Sequence, residues 1–365
     1  MSRDKILLTP GPLTTTLRTK LAMLNDWGSW DEDFKKVTAN LRESLLKIIQ
    51  NTGDYTVVPM QGSGTFSVEA AIGTVIPKEG HILVLDNGAY CKRMATISER
   101  LGRKTTLLSF SESESINPEA VKEALQNDSS ITHIGLIHCE TGTGIINPLQ
   151  EISDICKASN VGLIVDAMSS FGAYPIEVTS LQFDALIAAS GKCLEGVPGM
   201  GFVFLRKAII ESCKDNSASL SLDLYDQYHY MEKTGQWRFT PPTHVVVALH
   251  EAIIQFFEEG GQPARFARYQ ENSKVLLEGM RALGIKPFLN EADLSAIIIT
   301  FLAPQSDKYD FKTLYDVTKA EGFMLYPGKL TEVDTFRVGS IGAIDTLEMR
   351  QAVNAIGFAL QKMDI

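Results

Sequence analysis

The chain has 365 residues, 44% of them hydrophobic and 21% charged, and a formal net charge of −10. That length exceeds what one core usually holds, and an acidic balance with no Lys/Arg block argues against nucleic acid as the main partner. No apolar run approaches the ~20 residues that cross a bilayer, the start reads as no signal peptide, and five cysteines without CxxC spacing argue against disulfides and metal, so a cytoplasmic protein is expected.

Seven short apolar runs recur through the first two thirds, at residues 56–60, 81–86, 104–110, 133–139, 162–166, 183–189 and 201–205. Helical stretches separate several of them, at 117–126 (Asn117 opening it, Pro118 just inside) and at 149–159. Strand, helix, strand at this spacing predicts an α/β fold with a mostly parallel seven-stranded sheet covered on both faces, in a large domain over 15–245. Beyond Trp237 the texture changes. Helical patterns at 245–259 and 264–283 are followed by a run at 296–302, a helix near 310–321, short runs at 323–326 and 335–338, and a terminal helix. This predicts a smaller α+β domain over 246–365.

The chemistry-bearing segments follow the strand ends. Pro59-Met-Gln-Gly-Ser-Gly-Thr-Phe-Ser67 leaves a strand and opens a helix, where Gly62 and Gly64 let backbone approach an anion and Ser63 and Thr65 add hydroxyls. It lacks the GK[ST] of a Walker A loop, and by itself also reads as a tight turn. In Asp86-Asn-Gly-Ala-Tyr90 the tyrosine could stack on a flat ring or pack in the core. His138-Cys-Glu-Thr-Gly-Thr-Gly144 offers Thr141 and Thr143 to a phenolic oxygen; His138 itself reads as a satisfied strand-end histidine. Asp166 closes an apolar strand, where a buried carboxylate needs a partner: a helix N-terminus, a serine, or a cationic ring nitrogen. Lys192 follows the next apolar run within Ser190-Gly-Lys-Cys-Leu-Glu-Gly-Val-Pro-Gly199. Arg337, in Phe336-Arg-Val-Gly-Ser-Ile-Gly342, could fork onto a carboxylate or other oxyanion, or snorkel from a sheet edge.

Asp166 and Lys192 fall at neighbouring strand ends, where open α/β sheets bind ligands. A lysine there can condense with an aldehyde, and a carboxylate can keep a pyridine nitrogen protonated, which together is the chemistry of pyridoxal 5'-phosphate (PLP).

In this order of parts the chain resembles the class V, fold-type I PLP-dependent aminotransferases, over nearly its whole length. The stretches that carry the resemblance are Leu7–Thr14, Gln61-Gly-Ser-Gly64, Asn87-Gly-Ala-Tyr90, Val165–Gly172, Gly196-Val-Pro-Gly199, Ser219–Tyr225, Trp237-Arg-Phe-Thr240 and Tyr326-Pro-Gly-Lys329. The resemblance implies that Lys192 bears the cofactor, Asp166 pairs with its ring nitrogen, Tyr90 stacks on the ring and Thr141 lies near its phenolic oxygen. It implies that Ser63, Gly64 and Thr65 hold the phosphate, with Thr240 reaching in from the second subunit of a homodimer. Arg337 would bind the substrate's anionic group, and Pro10-Gly11-Pro12 would border the mouth. The distal stretches imply 2-aminoethylphosphonate as amine donor and pyruvate as acceptor; alanine–glyoxylate and serine–pyruvate exchange are the alternatives on the same scaffold. A cysteine desulfurase needs a mobile cysteine well downstream of the lysine, and the last here is Cys213. The chain departs from the family pattern at Gly142, Gly191 and Pro241.

Overall fold

The computed structural model describes residues 4–328 and 333–365; Lys329, which ends one of the resembling stretches, lies outside them. The large sheet has seven strands: β1 (Tyr55–Gln61), β2 (His81–Asp86), β3 (Lys104–Ser109), β4 (His133–Ile137), β5 (Gly162–Asp166), β6 (Ala185–Ala189) and β7 (Met200–Arg206), in the spatial order β1-β7-β6-β5-β4-β2-β3. β6, β5, β4, β2 and β3 are paired in parallel, and β7 runs antiparallel to both its neighbours. The carboxyl ends Gln61, Asp86, Ile137, Asp166 and Ala189 therefore gather along one edge, beside the start of β7 at Met200.

The strands form because β-branched and aliphatic residues alternate between two buried faces. In β5, Leu163 and Val165 join the core on one face and Ile164 the core on the other; Val57 and Val58 divide the same way in β1. Helices close both faces and are stopped locally. Asn117 caps the helix Pro118–Asn127 by accepting from Glu119 N–H, and Asn160, left-handed at φ 52°, ends the helix Leu149–Ser159.

The C-terminal layer holds a three-stranded antiparallel sheet of Ile298–Leu302, Thr335–Gly339 and Tyr326–Pro327, with Thr335–Gly339 in the middle, backed by the helices Phe311–Ala320 and Thr346–Lys362. The first strand of the chain, Ile6–Leu7, pairs in parallel with Phe323–Met324, and Ile6 and Leu8 are buried with Phe301, Phe336 and Ile356.

The change of core falls later than the expected boundary at 245/246. The helix Thr243–Glu259 buries Val246, Leu249, Ile253 and Phe256 among large-sheet residues such as Val57 and Val165. The next helix, Gly261–Ala282, sends Val275, Leu276 and Met280 into the C-terminal core. Gly260, left-handed at φ 113°, makes the break. The apolar stripe of Thr243–Glu259 suits the sheet side, which periodicity alone could not distinguish. Among the described residues no helix is long and apolar enough to cross a membrane.

Candidate active site

β5 and β6 are parallel neighbours, so the chain leaving each delivers Asp166 and Lys192 to the same edge. Asp166 is buried, and its Oδ1 accepts the Met168 N–H at 2.9 Å. Burial pushes its carboxyl up to about 6, against the opposing pull of that N–H, Lys192 and Arg93. Burial also holds the Lys192 amine below the ordinary lysine range, although Asp166 draws it back up. Lys192 Nζ donates to the Pro10 carbonyl at 2.7 Å. Gly11 lies against this amine with φ 117°, and a Cβ there would stand 2.7 Å from Lys192 Cδ.

The Gly62–Ser67 turn delivers the helix Gly64–Val75. Ser63 is its N-cap residue, exposed, and its side chain accepts no capping bond, so its hydroxyl stands free beside the helix N-terminus. Met168, two residues past Asp166, packs so closely on Gly64 that a Cβ would not fit. Thr65, Tyr90, Arg93, Asp166 and Met168 line one small cavity. Within it the Arg93 guanidinium lies 4.9 Å over the Tyr90 ring, and Arg93 Nη1 reaches Thr65 Oγ1 at 3.4 Å.

Thr141 and Arg337 meet through backbone. Arg337 is 3% exposed; its Nη1 donates to the Thr141 carbonyl at 2.8 Å, and its Nε to the Pro327 carbonyl at 2.9 Å. The guanidinium stands 4.8 Å over the Tyr326 ring, and burial lowers its affinity for the proton. Glu140, 0% exposed, spans the two sides of the site: Oε2 accepts Tyr90 N–H and Oε1 accepts Gly142 N–H, each at 2.8 Å.

The fold thus gathers Ser63, Gly64, Thr65, Tyr90, Thr141, Asp166, Lys192 and Arg337 along the carboxyl edge of the sheet and the strand that faces it. Thr240 is exposed on the segment before Thr243–Glu259, and among the described residues no hydrogen bond links it to this group. His138 is buried and shares a 2.8 Å hydrogen bond with Ser170, and burial drops its pKa to about 4; it is neutral and inward, as its strand-end position suggested. Arg93 and Glu140 were missed in the sequence. Glu140 stands inside the His138–Gly144 motif, and its one signal was a carboxylate closing an apolar strand, as at Asp166. A cleft of about 450 Å³ lined by Asp54, Lys157 and Arg206 lies at the opposite ends of β1 and β7 and shares none of these residues.

A carboxylate for a ring nitrogen, a buried amine, an aromatic face and a helix N-terminus with a free serine hydroxyl for a phosphate fit PLP. The family model "Aminotransferase class-V" matches residues 23–322, and the chain belongs to that family: it is an aminotransferase. It is 64% identical over 365 residues to "2-aminoethylphosphonate--pyruvate transaminase 2" of Polaromonas sp. (strain JS666 / ATCC BAA-500), covering 100% of this chain and 98% of that one. It is 58% identical over 362 residues to 2-aminoethylphosphonate--pyruvate transaminase of Pseudomonas fluorescens, covering 99% and 98%. Among solved structures, ureidoglycine-glyoxylate aminotransferase from Bacillus subtilis superposes with a TM-score of 0.91 at 21% identity, covering 100% of this chain and 95% of that one. Pyridoxamine-pyruvate aminotransferase from Mesorhizobium loti gives 0.91 at 22%, covering 100% and 94%. These structures share the fold-type I architecture, and family and neighbours together imply PLP.

Proposed function

We propose that this aminotransferase moves the amino group of 2-aminoethylphosphonate to pyruvate, releasing phosphonoacetaldehyde and L-alanine in two half-reactions. The observation that carries the reading is full-length identity of 54–64% to transaminases of that name, whereas solved structures of aminotransferases with other names stand at 16–23%.

Bound PLP would supply an electron sink for the carbanion formed at the substrate carbon. The protein's part follows from its own groups. Lys192, whose charged form burial disfavours, is placed to take a proton from the amine-bearing carbon of the donor in one half-reaction and to give a proton to the corresponding carbon of the acceptor in the other. Asp166 would pair with the ring nitrogen, and a cation there would stabilise its carboxylate against the burial that otherwise favours the acid form. Ser63, Gly64 and Thr65 would hold the phosphate, Tyr90 the ring face, and Thr141 the phenolic side. Arg337 binds phosphonate in one half-reaction and carboxylate in the next, since a guanidinium fork accommodates both. A homodimer, with Thr240 completing the phosphate site of its partner, and the cytoplasm as place of action belong to the same proposal. The exposed position of Thr240 and five buried free thiols support them.

A panel of amine donors with pyruvate, read as alanine formed, tests the assignment. The expected outcome is preferred turnover of 2-aminoethylphosphonate; no turnover of it beside good turnover of serine would overturn the reading.

A further inference from the structure

The helix Gly261–Ala282 buries a polar stripe. Arg265, Arg268, Tyr269 and Asn272 fall at i, i+3, i+4 and i+7, one face of an α-helix, and Arg265, Tyr269 and Asn272 are each 0–1% exposed. Buried polar groups at such a density are costly unless each has a partner. Here the partners come from two loops that carry the site and from Glu259, while Asn272 Oδ1 has none among the described residues.

One loop follows Lys192. Glu195, 5% exposed, accepts at Oε1 from Tyr269 Oη at 2.6 Å and from Arg268 Nη2 at 2.7 Å, and Arg265 donates to the Cys193 carbonyl. Glu195 N–H in turn donates to the Lys192 carbonyl at 2.7 Å. Its backbone is left-handed, φ 59°, a conformation unfavourable for a residue with a side chain and retained where surrounding contacts enforce it. The other loop follows Arg337. Arg268 Nη1 donates to the carbonyls of Gly342 at 2.5 Å and Ile344 at 3.1 Å, and Asn272 Nδ2 to those of Ser340 and Ile344, both at 3.1 Å. Gly342 N–H donates to Tyr269 Oη at 3.3 Å. Glu259 balances the charge by accepting from Arg265 Nε and Arg268 Nε, each at 2.7 Å.

Two cations and two anions, with Arg265 and Glu195 buried and Arg268 and Glu259 partly so, are mutually bonded in a charge-neutral block. Tyr269 Oη and the Arg268 guanidinium are each bonded to both loops at once. The loops lead directly back to the amine of Lys192 and the guanidinium of Arg337, the two points a substrate must bridge. We propose that Glu195, clamped by Arg265, Arg268 and Tyr269, is a positioning residue that fixes the span between Lys192 and Arg337 and thereby selects substrates by the number of carbons between amine and anion. The proposal rests on the anion-binding role of Arg337 set out above.

The experiment uses PLP-loaded wild type, Glu195→Gln and Tyr269→Phe, with 2-aminoethylphosphonate and its one-carbon-longer homologue 3-aminopropylphosphonate, comparing kcat/KM. A fixed span rejects the longer donor by a factor on the order of ten or more in wild type. Both variants are expected to narrow that ratio at least roughly threefold. Their calorimetric affinity for ethylphosphonate, which touches Arg337 but cannot bridge to Lys192, is expected to stay within about twofold of wild type. A block that serves stability alone lowers the melting temperature and both rates while leaving the ratio unchanged, and that result overturns the proposal. Loss of ethylphosphonate binding also overturns it, by placing the effect at Arg337 alone. Should Glu195→Gln fail to fold, Tyr269→Phe, which deletes one oxygen, decides the matter. Wild type that ignores 2-aminoethylphosphonate while accepting another donor refutes the substrate assignment instead, a separate outcome.

Discussion

The Lys192 amine donates a 2.7 Å hydrogen bond to the carbonyl oxygen of Pro10, a residue 182 positions earlier in the chain. The segment after Pro10 is therefore part of the lysine's immediate surroundings, and its backbone has little room to change. Gly11→Ala puts a Cβ 2.7 Å from Lys192 Cδ and 2.8 Å from the Gly191 carbonyl, at a φ of 117°. The expected result is a loss of about 1–3 kcal/mol in stability, with turnover reduced more than the melting point alone explains. Paired denaturant melts and steady-state assays check it.

Asp166 links stability to pH. Its folded pKa of about 6 stands above the ordinary 3.8, so between those values the folded cofactor-free protein holds a proton that the unfolded chain has released. Stability then falls as pH rises from about 4 to about 6, and the deficit persists above, on the order of 3 kcal/mol. Asp166→Asn is expected to raise the melting temperature of the cofactor-free protein at pH 8, to have little effect near pH 4, and to abolish transamination. Melting curves at the two pH values, with and without added PLP, measure all three.

His138 works in the opposite sense. Burial lowers its folded pKa to about 4 from 6.5, so its contribution is present above pH 6.5 and is lost as pH falls toward 4. His138→Asn should flatten acid unfolding across that window by about 3 kcal/mol, whatever the variant costs at neutral pH. The pH profile of kcat/KM between pH 6 and 9 should keep its shape, because a neutral, inward histidine exchanges no proton with substrate. A displaced limb in that profile would refute this.

Arg337→Lys keeps a positive charge but loses the planar fork that reaches the carbonyls of Thr141 and Pro327. KM for 2-aminoethylphosphonate and for pyruvate should each rise roughly tenfold or more, as expected for a lost charge-assisted hydrogen bond. Initial-rate series in each substrate test this; a change confined to one of them would assign the two anions to different donors.

Much of the fold was legible because buried strands announce themselves as β-branched runs. The runs at 81–86 and 162–166 and the helix at 149–159 match the structure at both ends. Boundaries slipped where an apolar run outlasted its pairing partner, as at 183–189, where the strand begins only at Ala185. The spatial order of the strands and the reversal of β7 left no local mark. In the site, residues at strand ends were readable, since an acid or amine after an apolar run is chemically out of place. The stripe of Arg265, Arg268, Tyr269 and Asn272 was not, because polar residues at helical spacing read as a solvated face. Only the loops arriving from two other parts of the chain reveal that face to be interior.

The short pairing of Ile6–Leu7 with Phe323–Met324 sets an order of events in the cell. Ile6 N–H donates to the Gly322 carbonyl, Leu8 N–H to that of Met324, and Gly339 N–H to that of Leu8. The ribosome makes Ile6–Leu7 more than 300 residues before Phe323–Met324, so this seam cannot hold Pro10 over Lys192 until residue 324 has emerged. A nascent chain that stalls short of residue 324 therefore leaves its lysine without this cover.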